Sequence, residues 1–214
     1  MAIKGLSKLV IAGGYQSDDA TNKISYDSVA VTEKMVEYEA TPSYAEDDGL
    51  YGDNALAETA PSNFTDGDIK VTTTELTQDT SQLLYQIKKI TKTIGDKSMT
   101  QMVYDRSTKS NTVGVGLIEE HQHKNKDFYR GIILPKVNFN INSSSASTRA
   151  GKIDWQTPQI EGKFMESDLI EAPTSDTVDD GLDRPYKVTV EAPTEAECLD
   201  MIKAWFTQYV KTGA

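Results

Sequence analysis

The run VGVGLIEEHQHKNKDFYRGIILPKVNFNIN, residues 113–142, constrains the fold of this chain more than any other stretch. Period-two patterning flanks the polar turn KNKD (124–127) on both sides. Before the turn, Val113, Val115 and Leu117 share one face, which continues through Glu119, His121 and His123. After it, Ile133, Val137, Phe139 and Ile141 are expected on one face, with Lys136, Asn138, Asn140 and Asn142 on the other. Such alternation around a polar turn predicts a long β-hairpin.

The same run holds residue types that elsewhere carry chemistry. A phosphate loop sets its glycines between a strand and a helix N-terminus, with further glycines following. Gly114 and Gly116 lie inside a strand and none follow, so a bulge or a close approach of another backbone is the expected reason for them. Glu119, His121 and His123 point the same way and define the enzyme alternative, a small metal-dependent hydrolase. The chain has only 2 histidines, and solvated residues near the hairpin tip are the expectation set against that alternative. Glu119 and Glu120 are neighbours on a strand and face opposite ways, which excludes a simple paired-carboxylate site. No Gly-x-Ser-x-Gly occurs. Cys198, on the apolar face of a predicted helix, reads as inert core, and Trp155, Trp205 and the 10 tyrosines read as packing.

Charge narrows the partners. Asp and Glu outnumber Lys and Arg 33 to 22, for a net charge of −11, so the surface repels nucleic-acid phosphates and anionic membranes. One cysteine allows no intrachain disulfide, and folding in the cytosol is the natural expectation. No apolar run of about 18 residues suggests a membrane span, and the N-terminal apolar run is too short for a signal peptide. A length of 214 residues suits one domain with elaborations.

Along the chain, strands are expected at 6–11, within 25–40, and at 69–76, 99–106 and 153–164. The segment 41–68, rich in Gly, Asp, Asn and Pro, reads as a long functional loop. A helix is expected over 79–92, capped by Asp79 or Thr80, with Leu83, Leu84, Ile87 and Ile90 as its apolar stripe. Thr194 and Glu197 have capping-box spacing ahead of a C-terminal helix lined by Cys198, Ile202, Trp205 and Tyr209. The sum is mainly β with two helices, an α+β chain without βαβ alternation.

Several segments together resemble a known family. SYAEDDGLYGDNALAE followed by GDIKVTTTEL, then VGVG, LPKV and WQTPQIEG in that order, are similar to the major tail protein, or tail tube protein, of long-tailed bacteriophages with non-contractile tails. The resemblance covers roughly residues 5–165. It implies an antiparallel β-sandwich or barrel flanked by one helix over 1–165, with 41–68 as an assembly loop. A linker or loop at 166–185 and a strand–helix extension at 186–214 follow; the latter is too short for the immunoglobulin-like domain that ends some relatives.

The function implied is structural. Hexameric rings would stack into a hollow virion tail tube, assembled in the host bacterial cytoplasm around a tape-measure protein. Tail initiator and terminator proteins would sit at its ends, and DNA would pass through the lumen without specific binding. No catalytic site, cofactor, metal or membrane is expected on this reading. Tyr44, Asp47, Asp48, Leu50, Tyr51 and Glu58 are the candidate assembly residues, and reversing Asp47 and Asp48 to lysine is expected to block polymerisation of a folded monomer. A tube protein of a contractile secretion machine is the structural alternative.

Overall fold

A computed structural model describes residues 2–18, 20–32, 35–46, 48–52, 55–60, 62–141, 157–174 and 181–210. Its first half contains β1 (Ala2–Gly13), β2 (Gln16–Asp18), β3 (Lys23–Ser25), β4 (Ser28–Thr32), β5 (Met35–Tyr44), β6 (Asp48–Gly52), β7 (Ala55–Ala60), β8 (Phe64–Thr73) and α1 (Gln78–Leu84). There follow β9 (Lys88–Ile94), β10 (Lys97–Val103), β11 (Thr112–His123), β12 (Lys126–Phe139), β13 (Gln159–Met165), β14 (Ile170–Glu171), β15 (Leu182–Asp183), β16 (Val188–Ala192) and α2 (Glu195–Thr207). The chain is mainly β with two helices, and its strand ladders are antiparallel.

The main sheet runs β4-β1-β11-β12-β13-β8-β5, with β16 joined to β12 beside β13. The hairpin read from the sequence is its centre: β11 pairs β12 from Thr112↔Asn138 to His123↔Lys126. Lys124 and Asn125 both take positive φ at its tip, as a two-residue turn matched to the strand twist requires.

β12 serves two neighbours in succession. Tyr129–Ile133 pair β16 and Lys136–Phe139 pair β13. A register shift opposite Val113 and Val115 falls between these stretches, at Pro135 and Lys136. Proline donates no ladder hydrogen bond and suits a bulge, where the strand bends and its side chains change face. The expected common face for Ile133, Val137, Phe139 and Ile141 is therefore corrected. Ile132, Leu134, Val137 and Phe139 enter one core, Ile133 enters another, and Ile141 is exposed.

The first core lies inside the curve of the sheet. Leu9, Ile11, Val115 and Leu117 meet Ile69, Val71, Ile160 and Phe164, and β5 comes round to lie against β1. The second core lies on the opposite face, where Val10, Ala12, Ile118 and Ile133 meet Cys198, Leu199, Ile202 and Phe206 of α2. Thr194 caps α2, its hydroxyl accepting from the Glu197 amide at 3.3 Å, as the capping-box spacing predicts. Burial pushes the Cys198 thiol up to about 11, so it stays protonated among its apolar neighbours.

Gly114 and Gly116 owe their place to α2. A Cβ on Gly114 would stand well inside contact distance of Phe206 and 2.9 Å from Tyr26, and one on Gly116 would strike Ile202. Two bare positions on β11 let the helix settle against the sheet; what comes close is side chains rather than another backbone, and Gly114 also lies at the register shift between Val113 and Val115, where a bulge was the other expectation.

The other expected helix is corrected. α1 ends at Leu84, and Thr77 rather than Asp79 or Thr80 caps it. Tyr85 is extended and buried, its hydroxyl donating to the Asn140 carbonyl at 2.8 Å. The stretch 88–94 is instead β9. Ile87 and Ile90 fit a helical stripe, but Ile90, Lys92 and Ile94 also alternate, and isoleucine and threonine prefer a pleated surface.

Asp168 ties the chain after β13 back to the sheet. Its carboxylate accepts from Lys136 at 2.7 Å and from the Tyr15 hydroxyl at 2.8 Å, and Tyr15 in turn accepts from the Asp168 amide. Partial burial pushes this carboxyl up, but the bonds from Lys136 and Tyr15 outweigh burial and hold it below its ordinary range. A carboxyl depressed on folding stabilises above its unfolded pKa and ceases to do so as pH falls through the folded value. Asp168→Asn is therefore expected to lower the thermal midpoint at pH 7 and to differ less from the parent below about pH 4, read by melts across pH. A gap of constant size across that range would contradict the assignment.

Candidate functional site

The expected loop 41–68 is not a loop in the described residues. β5 and β8 pair through Thr41↔Asp68, Pro42↔Gly67, Ser43↔Asp66 and Tyr44↔Phe64, and the Ala45 amide then donates to the Asn63 carbonyl at 2.8 Å. β6 and β7 pair in a sheet of their own from Asp48↔Ala60 to Gly52↔Ala55. In the described residues the segment is therefore paired twice over, as β5–β8 in the main sheet and as the separate two-stranded sheet β6–β7. Its scarcity of β-branched residues hid the strands, which show in the backbone pairing.

Of the candidate assembly residues, Tyr44 stands where the β5–β8 ladder ends, at the base of the β6–β7 arm. It is 51% exposed, meets Phe64 edge-on at 6.1 Å, and lies within hydrogen-bonding reach of the Tyr186 hydroxyl at 3.2 Å. Phe64 stacks on Tyr186 at 3.9 Å and on Phe164 at 5.7 Å, so an aromatic pile braces the point where the arm leaves the core. Asp48, Leu50 and Tyr51 are on β6 and Glu58 is on β7, with Leu50 paired to Glu58. Asp47 lies outside the described residues.

Half of a second arm was expected: the strand at 99–106 overlaps β10, whereas β9 falls largely in the stretch expected to be helical. β9 and β10 pair from Lys97↔Ile94 to Val103↔Lys88 in a sheet of their own. Every residue of β9 is exposed. Residues opposite one another across a ladder share a face. One face therefore carries Lys88, Ile90, Lys92, Ile94, Lys97 and Met99, while the other carries mainly threonine and serine. Ile90 is 43% exposed, Ile94 53% and Met99 42%.

Glu119 and His121 correct a different expectation. They are only 5% and 3% exposed, not solvated. Curling of the sheet brings Tyr38 of β5 over them, and its hydroxyl donates to Glu119. His121 Nε2 lies 2.8 Å from the other Glu119 oxygen, and its ring stacks on Phe128 at 5.1 Å. The cleft beside them, about 310 Å³, is also lined by Arg130, Lys187 and Glu191, with Arg130 bonded to Glu191 at 2.7 Å. His123 is exposed beyond the cluster. Among the described residues no three His, Cys, Asp or Glu side chains stand together as a metal site would need.

A larger cleft of about 540 Å³ lies between the β1–β4 turn and α1, and its walls carry one carboxylate, Asp27, and no histidine or cysteine. No described helix is long and apolar enough to cross a membrane. Comparison with protein-family models gives no match, and comparison with curated proteins gives none either.

Proposed function

We propose that this chain is a structural virion protein, the major subunit of a phage tail tube, which assembles into stacked hexameric rings around a lumen through which DNA passes. The observation that carries the reading is the exposed two-stranded arm β9–β10, together with the separate ladder β6–β7. An isolated two-stranded hairpin is marginal in water, and the arm 88–103 additionally leaves Ile90, Ile94 and Met99 in solvent. Such surface suits a chain whose folded state is completed by copies of itself.

The sheet edges support the same reading. Among the described residues β4 pairs only β1, and β5 pairs only β8. Two different open edges on one subunit favour head-to-tail addition, which closes into a ring when the rotation between copies allows. The sequence resemblance over 5–165 supplies the tube as the assembly in question. A net charge of −11 is also compatible with a conduit that must let phosphates pass without counterion-release binding.

Electron microscopy of the purified protein, concentrated stepwise and aged, is expected to show hollow tubes or hexameric rings. Monomers persisting at the highest concentration, in low and high salt and with a tail initiator complex added as seed, would overturn the reading.

A further inference from the structure

We propose that the lysine-bearing face of the β9–β10 arm is the docking surface for the acidic β6–β7 arm of a second copy of this chain. The inference rests on the tube-subunit reading and adds to it a specific pair of surfaces.

The receiving face is unusual for a protein of this composition. In a chain with 33 acidic and 22 basic residues, positions 88–103 hold four lysines, Lys88, Lys89, Lys92 and Lys97, against one acid, Asp96. Three of these lysines alternate with Ile90, Ile94 and Met99 on one face. Lys88 is anchored to Asp105 at 2.5 Å and Lys89 to Asp79 at 3.3 Å, both near the base of the arm. Among the described residues no acid lies within 4 Å of Lys92 or Lys97, towards the tip. An exposed face mixing apolar side chains with unneutralised ammonium groups is matched by a surface mixing apolar groups with carboxylates.

The sequence of the chain itself supplies that composition. Residues 46–60 carry Glu46, Asp47, Asp48, Asp53 and Glu58, with no lysine or arginine, together with Leu50, Tyr51 and Leu56. That segment is also a two-stranded ladder, its strands of 5 and 6 residues close in length to the 7-residue strands of the receiving arm. Full exposure of β9 means that the chain's own acidic arm does not cover it, which leaves the arm of another copy. Duplex DNA is the other polyanion to consider. It offers charge but no apolar complement to Ile90, Ile94 and Met99, and it must approach a molecule of net charge −11.

Because the two surfaces differ, the contact can be handed on from copy to copy, and the tube reading takes that arrangement over a reciprocal exchange within a pair. Each copy keeps one donor arm and one receiving arm for the next, so the contact propagates. A contact of this kind can join successive copies along a tube, and its opposite charges predict weaker association in high salt.

The test is a charge swap. Lys92→Glu with Lys97→Glu is one variant, Asp48→Lys with Glu58→Lys a second, and all four changes in one chain a third; thermal melts check that each monomer folds. Sedimentation velocity reads self-association whether or not tubes form, so failure of the tube reading and failure of this contact are separate results. Each two-site variant is expected to need about ten-fold or more protein to associate, and the four-site chain is expected to recover most of that loss. A lysine-reversed variant that associates like the parent overturns the proposal, as does a four-site chain no better than the two-site ones. Binding of a short labelled DNA duplex that is lost in the lysine-reversed variant while association is unchanged would assign the face to nucleic acid instead.

Discussion

Gly114→Val is expected to lift α2 off the sheet and to lower folding stability by about 3 kcal/mol or more. The first added carbon already has nowhere to go. It would meet Phe206 at well under contact distance and Tyr26 at 2.9 Å, and both rings are fully buried. Tyr26 cannot retreat, because its hydroxyl donates to the Pro135 carbonyl at 2.7 Å and its ring meets Phe206 edge-on at 5.2 Å. Phe206 belongs to a helix that also seats Ile202 over Gly116, so moving one contact disturbs both. Overpacking of this kind costs about 1–3 kcal/mol for modest insertions, and valine adds two further methyls, against a total stability of about 5–15 kcal/mol. Urea unfolding followed by Trp205 fluorescence would measure it, since that indole meets Phe206 at 5.2 Å and Tyr209 at 5.1 Å. Combining Gly114→Val with Phe206→Leu is expected to cost less than the sum of the two changes, the mark of a direct clash. A Gly114→Val protein within about 0.5 kcal/mol of the parent would show that α2 does not depend on the bare position.

How much of this was legible in the sequence depends on range. The central hairpin was readable because its alternation and its turn are local. That Gly114 and Gly116 mark a bulge or a close approach was readable too, but not that side chains of the helix 195–207 make the approach, since nothing in a strand names its distant partner. Phe206, the side chain closest to Gly114, fell outside the expected stripe of Cys198, Ile202, Trp205 and Tyr209, although it lies four residues beyond Ile202 and continues the row. The bulge was signalled by Pro135, and its consequence for the face of Ile133 follows once a bulge is allowed. The strands of 48–60 and β9 were missed for opposite reasons, whereas β10 overlaps the strand expected at 99–106. In 48–60 the strands have few β-branched residues to announce them, and in 88–94 a helical stripe and a strand alternation overlap in the same isoleucines.

The candidate assembly residues illustrate a further limit. A sequence rich in Asp, Gly and Asn says that a segment is polar and bounded by turns, and it does not say whether the backbone groups find each other. In the fold they do, so Asp48, Leu50, Tyr51 and Glu58 sit on paired strands and Tyr44 braces their base. This changes the physical nature of the proposed contact. A ladder presents a defined surface before assembly and gives up less conformational entropy on docking than a disordered loop would.

The cluster of Tyr38, Glu119 and His121 carries the second large expected effect. Glu119→Ala is expected to cost about 3 kcal/mol and to loosen β5 preferentially. Burial first, and the neighbouring Glu119 carboxylate second, push the Tyr38 hydroxyl upward, so it remains a protonated donor throughout the ordinary pH range. Removing its acceptor takes from that part-buried hydroxyl, and from the buried His121 nitrogen 2.8 Å from the other carboxylate oxygen, the partner each has in the fold. A buried group left unpaired costs about 1–3 kcal/mol, and here two groups lose a partner together. Glu119→Gln keeps an oxygen for Tyr38 and is expected to lose roughly half as much, while Tyr38→Phe removes the donor and is expected to cost about 1 kcal/mol. The position matters because the tie spans from β11 to β5, the strand on which the 41–68 arm is built. Hydrogen exchange should therefore show β5 amides losing protection before those of β11 and β12 in the Glu119→Ala protein, which a uniform loss of stability would not produce. Unchanged β5 protection with an unchanged urea midpoint would mean that the curled sheet holds its free strand by apolar packing alone, and that Tyr38, Glu119 and His121 contribute nothing to the footing of the arm.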